Sequence, residues 1–388
     1  MFCILSTASF LQRALQCDLQ FLLLSKRIYI ICGGNKFMKF IKCENLKQKP
    51  DFNDLPFGKY MTDYMLEMDW TDGVWGEMVI KPYENFSLSP AAMILHYGQG
   101  VFEGAKAFKN DKGEISMFRI ESNLDRMNKS AWRMGMPTFD LNAVKEGIAK
   151  LVAVEKDWIP VGDGKALYLR PTMIATEPKI GVTTCRNFKF YVVCCPVSSY
   201  FKAGAGLVKI KVEDTLVRAC VGGTGEAKCV GNYGASFLAT ELAKKQGYNQ
   251  VLWLDVTHKY VEEVGTMNVM FVINGEVITP ALTGSILRGI SRDSAITVLR
   301  EKGYVVKEEH ITLDYILEKA RTGEMTEMFG VGTAAIVSPV GVLGYAGVDY
   351  VIGDNKPGPV GQDLYQEIQG IQQGRIADKF GWVTHVAE

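Results

Sequence analysis

The sequence carries no surplus of charge of either sign: 43 lysines and arginines stand against 43 aspartates and glutamates. No net field therefore draws the chain to nucleic acid or to an anionic membrane surface. It also lacks any Cys-x-x-Cys pair. Its nine cysteines, Cys3, Cys17, Cys32, Cys43, Cys185, Cys194, Cys195, Cys220 and Cys229, are scattered, and its four histidines, His96, His258, His310 and His385, share no metal-ligand spacing. No metal is expected from such a set, and the thiols are expected to be reduced, as in a cytoplasmic protein. No apolar run reaches the ~20 residues that a membrane-spanning helix needs. A phosphate-binding P-loop is absent as well, because Ala227 precedes Lys228 where that motif demands glycine and no Ser or Thr follows. "GTGEAK" likewise lacks the third glycine of the dinucleotide fingerprint. Nucleotide binding is disfavoured on both grounds.

What is present is an ordinary globular composition, 47% hydrophobic and 22% charged over 388 residues, enough for two medium domains. Residues 1–37 stand apart: they are apolar, with Asp18 their only acid, whereas "MKFIKCENLKQKPDF" from Met38 reads as a natural protein start. They are taken as an N-terminal extension from a start assigned too far upstream and are left out of the fold argument. From Phe57 onward, short β-rich runs alternate with helical patterns, an α+β or α/β signature. Strands are expected over 165–176, 188–198 and 250–255. A hairpin is expected where Asn274-Gly275 separates two β runs. Helices are expected over 121–134, 141–154, 236–246 and 291–302. The small, flexible stretch "SSYFKAGAG" is the best linker. It divides the chain into a smaller domain, 38–201, a linker, 202–207, and a larger domain, 208–388.

The segment "GGTGEAKCVGNYGAS" sets Lys228 among five glycines. A solvated lysine on a surface loop is the plain interpretation, since most lysines are exposed. A partly desolvated lysine instead has a lowered pKa, and its neutral amine can form a Schiff base with a carbonyl. The usual biological partner is pyridoxal 5'-phosphate (PLP). That cofactor needs an acid facing its ring nitrogen, donors around its phosphate and a phenol near its ring oxygen. Candidates follow in the same half of the chain: Glu263 before a Gly-Thr turn, Gly289 ahead of a helix whose first amides belong to Ile290 and Ser291, and Thr333 in the glycine-rich "FGVGTAAIVSP". Each is weak alone, because glycine turns before helices are common.

The blocks "LHYGQGVFEGAKAFK", "NLDRMNKSAWRMGMP", "LYLRPTMIATEPKIGV", "GGTGEAKCVGNYG", "EEVGTMNVMF", "TGSILRGISR" and "FGVGTAAIVSPV" occur in one order from about Phe57 almost to the C-terminus. Together they resemble the branched-chain amino acid aminotransferases. The resemblance implies a two-domain α+β / α/β architecture of PLP fold type IV, the aminotransferase class IV, D-amino acid aminotransferase-like fold. It implies Lys228 as the Schiff-base lysine, Tyr233 at the ring oxygen and Glu263 at the pyridine nitrogen. The phosphate would be held by Arg126, by the amides of Ile290 and Ser291, and by Thr333. Thr266 would help hold the cofactor or the substrate. The first domain would supply the substrate pocket, with Tyr97, Phe102 and Tyr168 as an aromatic wall and Arg170 steering the distal carboxylate of glutamate. The amide of Ala334 would meet the substrate α-carboxylate. For the aromatics and for Arg170, core packing and an ordinary ion pair are the alternatives. Some animal members carry a Cys-x-x-Cys where this chain has Ala335 and Ser338, so no thiol switch is expected there.

The implied activity is ping-pong transfer of the amino group of L-leucine, L-isoleucine or L-valine to 2-oxoglutarate, with Lys228 moving the α-proton. The expected partners are small amino acids and 2-oxo acids, not nucleic acid or membrane, and the expected assembly is a homodimer. Lys228 and Glu263 do not distinguish this from two other fold-type-IV enzymes, a D-amino acid aminotransferase or an aminodeoxychorismate lyase. A non-catalytic PLP-binding protein is the reading from another class.

Overall fold

The computed structural model describes residues 28–31, 38–198 and 207–387. The expected extension lies outside these apart from 28–31, and so does the expected linker apart from Leu207. Among the described residues no helix is long and apolar enough to cross a membrane, and the six described cysteines are free thiols.

Two sheets organise the described chain, one of eleven strands and one of nine. The first is built around the long strands Ala166–Ala175 and Asn187–Val197, which pair antiparallel from Phe188↔Ala175 to Val197↔Ala166. Both read in the sequence as mainly apolar runs, interrupted by Arg170 in the first and Lys189 in the second, and both are buried along most of their length. The helices Ile120–Arg133 and Leu141–Val154 cover this sheet; the second starts where the Asp140 carboxylate accepts from the Ala143 amide at 2.7 Å. In the second sheet, Val208–Glu213 lies between parallel neighbours, Gln250–Leu254 and Ile336–Tyr345. The path continues through Met325–Gly332 to Met267–Ile273, which pairs in turn with Val261–Val264. Since Val261–Val264 also pairs with Gln250–Leu254, the circuit closes on itself.

The hairpin at Asn274-Gly275 forms as expected, with φ of 52° and 79° at the two turn residues. Two features depart from expectation. The helix expected from 236 begins six residues earlier, as Val230–Lys245, so the glycines around Tyr233 are helical rather than loop. The chain also does not stay on one side of a boundary at 208: its last strand, Val383–Val386, returns to pair with Ile115–Phe118 of the first sheet. Each sheet carries its own apolar core, one centred on Leu66, Met117, Leu124 and Phe190, the other on Leu252, Phe271, Ile316 and Leu343.

Candidate active site

Lys228 stands just ahead of the helix Val230–Lys245, whose N-cap is Cys229. The loop before it is fixed by Asn232, which donates to the carbonyls of Thr224 at 2.8 Å and Ala227 at 3.0 Å and accepts from the Thr224 hydroxyl at 2.8 Å. Gly225 lets this loop approach a second one: a Cβ there would stand 2.0 Å from the Ser285 carbonyl oxygen. The Lys228 amide donates to Ser130 Oγ at 2.9 Å, and its carbonyl accepts from the Phe102 amide at 3.1 Å, which ties it to the first half of the chain.

The Lys228 side chain is partly open to a cleft. Its Nζ donates to the Tyr233 hydroxyl at 2.7 Å and lies 5.0 Å from the Phe102 ring centre. Desolvation, followed by repulsion from the Arg126 guanidinium, pulls its pKa down to about 8. Burial and the charge of Glu263 push the Tyr233 phenol well above its ordinary value, so its hydroxyl keeps its proton.

The cleft is lined by Arg126, Lys228, Glu263, Thr266, Asn268, Ile290, Ser291 and Thr333, among others. Glu263 is 3% exposed. One of its oxygens accepts from the Leu287 amide at 2.8 Å, and the other is 3.4 Å from Arg218 Nε. Thr266 shares with Gly265 the turn between the strands that carry Glu263 and Asn268. The helix Ile290–Glu301 starts from Gly289, which has no side chain to cap it, so the amides of Ile290 and Ser291 lack intrahelical acceptors. Thr333 and Ala334 lie in the turn between Met325–Gly332 and Ile336–Tyr345.

From the opposite side comes Arg126. Its Nε and Nη2 donate to the two oxygens of Glu103 at 2.7 and 2.9 Å, and Nη1 donates to the Arg288 carbonyl at 3.0 Å. Burial alone would raise the Glu103 carboxyl, but the Arg126 guanidinium outweighs it and holds the acid below its usual range. Next to this pair the Phe102 ring meets Tyr233 edge-on at 4.7 Å, and the Arg170 guanidinium sits 4.8 Å from the Phe102 centre and 5.2 Å from that of Tyr168. Arg170 Nη2 donates to the Tyr168 hydroxyl at 3.0 Å, while its buried Nε has no acceptor.

Thus Arg126, Lys228, Tyr233, Glu263, Thr266, Ile290, Ser291 and Thr333 gather at one cleft, with Phe102, Tyr168 and Arg170 beside it. Tyr97 does not join them. It ends the short helix Met93–Tyr97, is 39% exposed, and its hydroxyl donates to the Ile180 carbonyl. The block around it is not one strand: the helix stops before Gly98 and a new strand opens at Gly100, so Tyr97 and Phe102 sit on separate elements. Within one chain the aromatic wall is therefore Phe102 and Tyr168.

Sequence reasoning passed over Glu103 and Arg218. Asn123 and Arg126, three apart on one helix face, both reach Glu103, the Asn123 amide at 2.9 Å. A glutamate inside the apolar "GVFEGAKAF" was the available signal for a buried partner. Arg218 had no comparable signal.

The model of the amino-transferase class IV family matches residues 100–342, well over half of the chain. A probable branched-chain-amino-acid aminotransferase of Staphylococcus epidermidis is 50% identical over 353 residues, covering 90% of this chain and 98% of that protein. Branched-chain-amino-acid transaminase 1 of Bacillus subtilis is 47% identical over 355 residues, covering 91% of this chain and 100% of its own. Among solved structures, a branched-chain amino acid aminotransferase from "T.th." with pyridoxamine 5'-phosphate matches with a TM-score of 0.68 at 27% identity, covering 82% of this chain and 98% of that one.

Proposed function

The chain belongs to the class IV aminotransferases, and within them to the branched-chain-amino-acid aminotransferases; from that premise we propose that it holds PLP in the Lys228 cleft and transfers the amino group of L-leucine, L-isoleucine or L-valine reversibly to 2-oxoglutarate. One observation carries this reading: an amine of lowered basicity, a protonated phenol, a buried carboxylate and an uncapped helix start line or border a single cleft.

The residues fit the cofactor. The Lys228 amine has no carboxylate in contact among the described residues, and a pKa of about 8 leaves part of it neutral near pH 7. The free amides of Ile290 and Ser291, the Thr333 hydroxyl and Arg126 form a donor set suited to a phosphate dianion. Three Arg126 hydrogens are already committed, to Glu103 and to Arg288, so of the five a guanidinium carries two remain. Glu263 is the acid available to a protonated ring nitrogen, and Arg218 and the Leu287 amide hold it in orientation.

When bound, PLP supplies an electron sink for the pair left on the substrate α-carbon. The protein does the rest. Lys228 Nζ would take the substrate α-proton as a base and then hold it as an acid. Tyr233 keeps its hydroxyl beside that nitrogen, accepting from Lys228 Nζ at 2.7 Å. Phe102 and Tyr168 offer an apolar surface to a branched side chain, where one methylene more or less is worth only about 1–3 kcal/mol, so breadth among the three amino acids is expected. The unpartnered Nε of Arg170 supports a role for this residue toward the distal carboxylate of glutamate, and the Ala334 amide is assigned to the α-carboxylate.

The same reading includes a homodimer in the cytoplasm. Leu95, Ile180, Val182, Phe237 and Leu238 are each more than half exposed, which supports an apolar interface, and the free thiols support a reducing compartment. Light scattering at micromolar concentration tests the first.

Absorbance spectroscopy tests the activity. L-leucine should shift the spectrum of the PLP-loaded protein, and 2-oxoglutarate should restore it. A spectrum indifferent to L-leucine but responsive to D-alanine would overturn the reading in favour of a D-amino acid enzyme.

A further inference from the structure

Behind the Lys228 cleft lies a second cavity, of about 470 Å³, within the ~300–1,000 Å³ range of small-molecule pockets. It shares no lining residue with the cleft. The strand Val261–Val264 separates the two: Glu263 lines the cleft, and its neighbour Glu262, facing the other way, lines the cavity. Pro280, Leu282 and Ile286 give the cavity an apolar wall. Tyr260 and His310, whose rings meet edge-on at 5.6 Å, form an aromatic corner.

Its charge is one-sided. Three carboxylates line it, those of Asp255, Glu262 and Glu309, and among the described residues no lysine or arginine does. Asp255 is already engaged: its oxygens accept from the amides of Lys259 and Tyr260 at 2.9 and 2.8 Å and from the Thr257 hydroxyl at 2.7 Å. Glu309 is exposed and has no ion pair among the described residues. Glu262 is the exceptional one. It is 4% exposed; one oxygen accepts from the Ser285 hydroxyl, and the other, Oε2, is buried without a partner. The Arg218 charge reaches it, but that guanidinium is directed to Glu263, at 3.4 Å, and to the Ser285 carbonyl. Lys259 stands 5.1 Å from the Tyr260 ring centre and pairs with none of these acids among the described residues. A carboxylate oxygen left bare at this depth is costly, and desolvation raises the Glu262 carboxyl above its ordinary value. A donor entering from the cavity removes that cost.

We propose that this cavity is a second ligand site, built for a small organic cation with a short alkyl body. An N–H of the cation donates to Glu262 Oε2, its charge is met by Glu309 and by the Tyr260 face, and the alkyl body lies on Pro280, Leu282 and Ile286. A bare metal ion does not fit, because no group of three or more His, Cys, Asp or Glu side chains among the described residues is placed to hold one. The site goes beyond the aminotransferase reading and stands independently of it.

The probe is 3-methylbutylguanidinium, titrated by calorimetry into the PLP-loaded protein with 4-methylpentanoate present to fill the Lys228 cleft. A guanidinium stays charged and, unlike a primary amine, does not add to the cofactor aldehyde. It should bind with a Kd of about 1 mM or tighter, the scale for a ligand of this size. 3-Methylbutylurea, the same shape without the charge, should bind at least ~10-fold more weakly, because a charge-assisted hydrogen bond is lost. The guanidinium should lose about as much on Glu262→Gln, which keeps the acceptor for Ser285. Glu309→Gln, an exposed substitution, should cost about 3-fold or less. Equal affinity for the urea and the guanidinium in the unaltered protein overturns the proposal, whether or not the Glu262 variant folds. So does undiminished binding to Glu262→Gln, or no binding by about 10 mM. A signal seen only when 4-methylpentanoate is left out gives the probe to the Lys228 cleft and overturns the proposal as well.

Discussion

Lys228 and Lys106 sit in nearly the same local sequence, "GEAK" and "EGAK", and both are pulled down to about 8 by desolvation. Their surroundings differ. Lys228 precedes a helix, opens to the cleft and contacts a phenol; Lys106 lies within a strand, is closed over and contacts a carbonyl. Lowered basicity therefore does not by itself mark the reactive amine. Access does, and access is decided by the element that follows: a helix start leaves Lys228 at the rim of the cleft, while strand pairing of Lys106 with Tyr168 holds it in the sheet.

The sharpest way to break this distinction is to remove each amine in turn. Lys228→Ala should lower the rate of the leucine half-reaction by roughly 1000-fold or more, the scale of a lost acid–base group, in stopped-flow absorbance. Lys106→Met should leave that rate nearly intact at saturating leucine. Equal rate losses at the two positions would erase the division between a reactive amine and a supporting charge.

The same contrast exists between two acids. Glu262 and Glu263 are neighbours on one strand and both are buried, yet successive residues face opposite ways. Glu263 lines the cleft, while Glu262 accepts from the Ser285 hydroxyl behind it. Glu263→Gln should slow α-proton removal on the order of 100-fold, and Glu262→Gln should leave it essentially unchanged. Deuterated leucine in single turnovers separates the two, and similar slowing by both variants would mean that burial, rather than facing, sets the effect.

Much of this was legible beforehand, for local reasons. The strands at 166–175 and 187–197 were visible as apolar runs, and the hairpin as Asn-Gly between two of them. The start of the helix Val230–Lys245 was not, because Gly231 and Gly234 lower intrinsic helix preference and only tertiary packing overrides it. Lys228 was marked by its glycine setting and by the family blocks around it. Glu103 and Arg218 were hidden because their partners, Arg126 and Glu263, are 23 and 45 residues away in the chain and one sequence carries no record of such pairings. The separation of Tyr97 from Phe102 within one chain was hidden for a related reason: the block that contains them reads continuously but folds as a helix followed by a strand.

Arg126 shows what holds the far wall of the cleft. With Glu103 entirely buried, Glu103→Ala would leave the guanidinium without its counter-charge. Breaking a buried pair from one side costs about 3–5 kcal/mol, and urea unfolding should show a loss of that size. A loss below about 1 kcal/mol would class the pair with exposed ion pairs.

Glu155 offers the smallest effect and the cleanest control, since burial shifts it although it lies away from the chemistry. It caps the helix Leu141–Val154, is 1% exposed, and accepts from the Tyr64 amide. Desolvation, only partly opposed by that bond and by Thr62, raises its carboxyl from 4.5 to about 7. The folded protein thus holds a proton up to about pH 7 that the unfolded chain releases near 4.5, so this group's contribution to stability is greatest below that window and declines as pH rises through it. Glu155→Gln should flatten the fall in melting temperature between acid and neutral pH and leave the leucine-dependent spectrum untouched. If the variant keeps the parent's pH dependence, another group carries it. If the spectrum changes too, burial and function are coupled farther from Lys228 than the contrast with Lys106 allows.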